Sequence, residues 1–209
     1  GYKFFNAQRT AEDDLIPAFL RKGFTVSSIT NEELENINLS EVKKLAYFTA
    51  NDSPIPKATG RDYLPKASII GANFLNRHKK QGFFLMIESS QIDWGGHSND
   101  TKYIITEVKD FDNAIGKILE FAKKDKETLV IVTADHETGG FAINPKSRMD
   151  SIRGAFTNTY HTGTMVPVFA YGPGSELFSG IYENTAIYHK MRKALGFDRE
   201  TMEAVGSRQ

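Results

Sequence analysis

The residues best suited to chemistry fall in three short stretches that set histidine beside glycine, two of them with carboxylates. The first runs from Glu88 through Asp93, Trp94, Gly95 and Gly96 to His97. The second holds Asp135, His136, Glu137, Thr138, Gly139 and Gly140, and the third Tyr160, His161, Thr162 and Gly163. If a helix starts near Asp93, residues 93 and 97 lie one turn apart on one face. A carboxylate beside an imidazole is then a two-ligand seat for a divalent cation. Asp135 and His136 are adjacent and reach one ion together only on a turn, which Gly139 and Gly140 permit. The chain has no cysteine, so zinc must be held by imidazole and carboxylate, while magnesium suits carboxylate and water. A single His–Asp pair is more often a turn contact than a metal site. Glu88 alone also reads as a helix-cap partner, and Gly139–Gly140 as a hairpin turn. Three such clusters at strand ends are harder to dismiss. His78 and His189 read as ordinary surface residues of helices.

Such groups need rigid elements to position them, and hydrophobic periodicity marks those elements. Helices are predicted over 14–22, 31–37, 64–79, 101–123 and 184–195, and strands over 24–28, 44–49, 83–87, 129–133 and 166–171. Residues 51–60 carry Pro54, Pro56 and Gly60 and read as a loop. The last three strands are near-continuous apolar runs, the pattern of strands buried on both faces. The long helix carries an apolar stripe of Tyr103, Ile104, Val108, Phe111, Ile115, Ile118, Leu119 and Ala122. Alternating helices and strands predict an α/β fold with a mostly parallel central sheet flanked by helices. Ligands of such sheets sit beyond the carboxyl ends of the strands.

Composition narrows the function further. The chain has 209 residues, with 26 Lys and Arg against 26 Asp and Glu. Zero net charge gives no basic footprint for nucleic acid. No apolar run approaches the length of a transmembrane segment. No internal repeat or low-complexity segment is present, and no Gly-x-Ser-x-Gly elbow marks a serine hydrolase.

In order and spacing, Glu88, Asp93 and His97, then Thr133 to Gly140 (TADHETGG), then His161, Thr162 and Gly163 resemble the carboxyl-terminal half of alkaline phosphatases. The likeness runs from about Leu15 to Leu195, so residues 1–209 are expected to form one partial domain of that type. It implies two zinc ions and one magnesium. Asp93, His97 and His161 match the ligands of the first zinc, Asp135 and His136 part of the set for the second, and Glu88 a magnesium ligand. Trp94 occupies a position next to bound phosphate in the family. The implied reaction is hydrolysis of phosphate monoesters through a phosphoserine. Secretion or a periplasmic location, and a homodimer, are further family expectations.

The family's nucleophile motif, an Asp-Ser-Ala sequence opening a helix, has no counterpart here. Asp52-Ser53 is followed by Pro54 and Pro56, which suits a loop and not a serine at a helix start. The bridging Asp, the magnesium Thr and the phosphate-binding Arg also have no match. The chain is therefore expected to be a fragment, inactive without an amino-terminal half. Its cut sheet is expected to expose an apolar edge that drives self-association. Two other functions share parts of the pattern. Cofactor-independent phosphoglycerate mutases and phosphopentomutases use a similar metal arrangement, although TADHETGG speaks against them. A non-catalytic zinc-binding domain is the other.

Overall fold

The structure, a computed structural model, describes residues 1–6, 14–77 and 82–197. The architecture is α/β with short sheets, in keeping with the incomplete α/β fold expected. The chain divides into two compact units, one formed by residues 1–92 with 105–115 and the other by 93–104 with residues from 116 onward.

In the first unit, helix α1 (Leu15–Arg21) begins where the Asp14 carboxylate accepts a hydrogen bond from the Ile16 amide at 2.9 Å. Strands β1 (Thr25–Ser28) and β2 (Leu45–Phe48) pair in parallel, Thr25 opposite Leu45. The helix predicted over 31–37 is not formed. A single 3-10 turn at Leu34–Asn36 stands in its place, because so short a segment cannot offset the cost of helix nucleation without a packed face. Helix α2 (Leu64–Asn76) follows, with proline in its first turn. His78 and the end of that predicted helix lie outside the described residues.

The expectation that residues 83–87 form a strand buried on both faces is also corrected. Residues 84–87 join no ladder among the described residues, and exposure alternates along them. Phe84 is 62% and Met86 75% exposed. An apolar run is buried on both faces only where a layer covers each face, and no described residues cover this outer one.

Helix α3 spans Gln91–His97, and α4 spans Thr101–Asp125 from an Asp100 cap that accepts from the Tyr103 amide at 3.0 Å. The buried side of α4 differs from the predicted stripe. Val108 is 45% exposed, whereas Glu107 and Asp110 are buried beside Ala114 in the helical period. The partner of these carboxylates is Arg61, directly after the proline-containing loop. Its Nη2 donates to Glu107 Oε2 and, at 3.0 Å, to Asp110 Oδ2. The Lys57 amide donates to Glu107 Oε1 at 2.8 Å, and the Lys57 ammonium lies 3.1 Å from Asp110 Oδ1. Burial would push the Arg61 guanidinium down, but the two carboxylates outweigh it and hold it above its ordinary value.

In the second unit, β3 (Val130–Val132) precedes β4 (Glu137–Thr138), β5 (Ala142–Ile143), β6 (Gly154–Ala155), β7 (His161–Thr162) and β8 (Phe169–Tyr171). Here β3 pairs with β8, β4 with β7 and β5 with β6, all antiparallel. The parallel order expected of the sheet is thus seen at β1–β2, while the described pairs of the second unit run in opposed directions. Helix α5 (Ala186–Ala194) closes the described chain, with His189 exposed as expected.

Removing Arg61 leaves two buried carboxylates, with the Lys57 ammonium beside Asp110 and only the Lys57 amide on Glu107. The Arg61→Met variant is expected to lose about 3–5 kcal/mol of stability, read as a lower urea midpoint. An unchanged midpoint would show that the cluster contributes nothing.

Candidate metal centre

Opposed strands explain how the second and third clusters meet. Val132, at the end of β3, lies opposite Phe169, at the start of β8. The residues that follow β3 and those that precede β8 therefore emerge at the same end. There, β4 and β7 form a two-residue ladder with Glu137 opposite Thr162 and Thr138 opposite His161. Residues opposite each other share a face and alternate residues do too, which sorts the side chains. His136, Thr138 and His161 belong to one face, and Glu137 and Thr162 to the other.

On the second face Glu137 acts as a staple. Its carboxylate accepts from the amides of Gly140 (3.1 Å) and Phe141 (2.9 Å) and from the Thr162 hydroxyl. Burial alone would raise the Glu137 carboxyl, but the bonds from Thr162, Phe141 and Gly140, with His136 nearby, hold it below its ordinary value. The turn between them needs Gly139 and Gly140, which sit at φ 90° and 59°.

The first cluster reaches this face through α3. A Cβ added to Gly96 would lie 2.8 Å from the Thr138 carbonyl oxygen and Cβ. No residue larger than glycine fits between α3 and β4. This approach lets the Thr138 hydroxyl donate to Asp93 Oδ1 at 2.5 Å.

The resulting set is compact. One ligand atom each from Asp93, His136 and His161 lie within 4.8 Å of one another. His161 Nε2 is 3.6 Å from Asp93 Oδ1, and His97 Nε2 is 3.4 Å from Asp93 Oδ2. The His136 and His161 rings stack at 3.5 Å, and Tyr160 stacks on His161 at 4.6 Å. Asp135 is largely exposed and holds Oδ2 3.3 Å from His136 Nε2. Trp94 is 38% exposed, directly after Asp93 on α3. Glu88 is exposed just ahead of α3 and belongs to the first unit. Asp52 is ion-paired with Lys3, and Ser53 borders a cavity of about 340 Å³ in the first unit. Neither opens a helix.

The donor set suits a divalent cation on proton bookkeeping. His97 Nδ1 lies 2.7 Å from the Thr159 carbonyl. A carbonyl only accepts, so Nδ1 carries the hydrogen and, in the neutral ring, Nε2 is an acceptor. It faces another acceptor, Asp93 Oδ2, at 3.4 Å. Positive charge belongs between two such acceptors, as a proton on the ring or as a bound divalent cation, and imidazole with carboxylate is a donor set that divalent cations accept. The sequence offered no sign of Thr159 or of the Glu137 staple as supports of this set.

Comparison with known proteins settles the family. A family model described as alkaline phosphatase matches residues 67–155 and 146–197. The chain belongs to the alkaline phosphatase family. It is 32% identical over 257 aligned positions to alkaline phosphatase 4 of Bacillus subtilis (strain 168), covering 88% of this chain and 54% of that protein. Against alkaline phosphatase of Escherichia coli (strain K12) the identity is 32% over 139 positions, 58% of this chain and 29% of the relative. Alkaline phosphatase from the Antarctic bacterium TAB5 superposes with a TM-score of 0.84 at 40% identity, covering 94% of this chain and 58% of that structure. A variant of the TAB5 enzyme with magnesium bound in its M3 site superposes at 0.81. The chain thus spans a little over half the length of the Bacillus subtilis and TAB5 alkaline phosphatases.

Two substitutions test this geometry. Gly96→Ala is expected to cost about 1–3 kcal/mol in urea melts and to weaken divalent-ion binding. Gly116→Ala, with nothing within 4 Å of the added carbon, is expected to leave binding unchanged. For Glu137, a folded value below the ordinary 4.5 means its stabilisation is present above that pH and is lost as pH falls through the folded value. Glu137→Gln is expected to flatten the acid side of the stability–pH curve, and an unaltered acid limb would remove the staple's role.

Proposed function

We propose that this chain is the metal-binding part of an alkaline phosphatase that hydrolyses phosphate monoesters through a phosphoserine. One observation carries the proposal: in a member of this family, Asp93, His136 and His161 bring ligand atoms within 4.8 Å of one another. In this reading Asp93, His97 and His161 hold the first zinc, Asp135 and His136 contribute to the second, and Glu88 contributes to a magnesium site. Paired divalent ions, when bound, supply Lewis acidity and clamp the attacking and leaving oxygens of phosphoryl transfer.

The chain's own residues bind, orient and exclude. Asp93 presents one carboxylate oxygen to His97 and the other to His161, so one side chain sets both imidazoles. Thr159 and Glu137 fix the rings by holding the backbone and Nδ1 atoms around them. Trp94, next to Asp93, gives the substrate an uncharged indole surface.

The serine nucleophile, the bridging carboxylate and the phosphate-binding arginine belong, in this proposal, to an amino-terminal half, and residues 1–209 form the carboxyl-terminal part of one shared domain. The exposed Phe84 and Met86 supply an apolar surface for that half, and the chain alone is inactive. A periplasmic or secreted location and a homodimer complete the proposal; among the described residues no helix is long and apolar enough to cross a membrane.

Zinc per folded chain after dialysis, for wild type and His161→Ala, is the direct test. Bound zinc that is lost in the variant is the expected result. Adding a polypeptide with the amino-terminal half of an alkaline phosphatase is expected to produce hydrolysis of an aryl phosphate that neither piece shows alone. A folded wild-type chain that retains no zinc overturns the proposal.

A further inference from the structure

We propose that Thr138 is a positioning residue that locks the tautomer of His136 and ties it to Asp93, coupling the two halves of the metal centre through one hydroxyl. The proposal rests on the metal-binding reading above for its consequence, but its geometry stands by itself. Thr138 Oγ1 lies 2.5 Å from Asp93 Oδ1 and 3.2 Å from His136 Nδ1.

A hydroxyl has one hydrogen to donate and lone pairs to accept. The Asp93 carboxylate is acceptor only, so the single hydrogen of Thr138 goes to Oδ1. Towards His136 the hydroxyl then has only lone pairs, and His136 Nδ1 must supply the hydrogen. That assignment leaves the neutral ring's Nε2 as an acceptor, and it faces Asp135 Oδ2 at 3.3 Å. The result is a second acceptor pair like that of His97 and Asp93, made by a side chain that touches no ion itself.

Position explains why threonine does this. Thr138 and His136 are two residues apart and share a face, so the hydroxyl reaches the ring beside it. Its ladder partner is His161, and the glycine contact at Gly96 brings Asp93 to its other side. Losing the hydroxyl releases the Nδ1 hydrogen of His136 and frees Asp93 Oδ1 at once. Outer partners of this kind typically change metal affinity 10–100-fold when removed.

The test uses Thr138→Val, which keeps the branched shape and removes the hydroxyl, with Thr138→Ser to restore it. Imidazole ¹⁵N shifts of the zinc-free chain report the tautomer, chelator competition reports zinc affinity, and circular dichroism confirms that each variant folds. The expected result is an Nδ1–H tautomer in wild type, a mixture in the valine variant with about 10–100-fold weaker zinc binding, and recovery of both in the serine variant. An unchanged tautomer ratio in the valine variant, or a serine variant that recovers neither property, overturns the proposal. So does an unchanged zinc affinity in a valine variant whose parent binds zinc. A wild-type chain with the tautomer locked but no zinc bound supports the lock and counts against the metal reading alone.

Discussion

The close approach of α3 to β4 is the constraint on which the candidate metal centre depends. Helix surfaces normally stand off from a neighbouring strand by the width of a side chain. At Gly96 that width is absent, and the helix backbone meets Thr138 with no room for a Cβ. Asp93 sits one turn earlier on the helix and is carried to hydrogen-bonding distance of the strand. The β4–β7 register then places His161 opposite Thr138, and alternation places His136 on the same face. Moving the helix outward by even a methyl group would separate the carboxylate from the face bearing two of the imidazoles.

Much of this centre was legible from residue types and order. Asp93, His97, Asp135, His136 and His161 stand out as candidates because few side chain types hold metals, and the structure brings Asp93, His97, His136 and His161 close to one another. Their supports were not legible. Thr138 and Glu137 stand inside the motif, yet only the ladder register shows that they face opposite ways and do different things. Thr159 contributes a backbone carbonyl, which no sequence pattern can mark.

The fold was legible where local signals were strong and failed where burial depends on distant partners. Helices α1, α2, α4 and α5 follow from periodicity and caps such as Asp14 and Asp100. The predicted stripe on α4 missed Glu107 and Asp110 because hydrophobicity arguments assign charged residues to solvent. They are buried only because Arg61 and Lys57, roughly fifty positions away, arrive to neutralise them. The run 83–87 fails in the opposite sense, since apolar composition states a demand for cover and not its presence.

The ties that assemble the candidate metal centre span long stretches of sequence. Thr138 joins Asp93 across 45 positions of sequence, Thr159 joins His97 across 62 and Thr162 joins Glu137 across 25. Each closes a loop whose entropy must be lost before the contact returns anything, and contacts of long sequence separation slow folding. The local turns of α4 carry no such delay. The centre therefore carries a loop-closure cost that rises with those separations, whereas each turn of α4 closes over only a few residues.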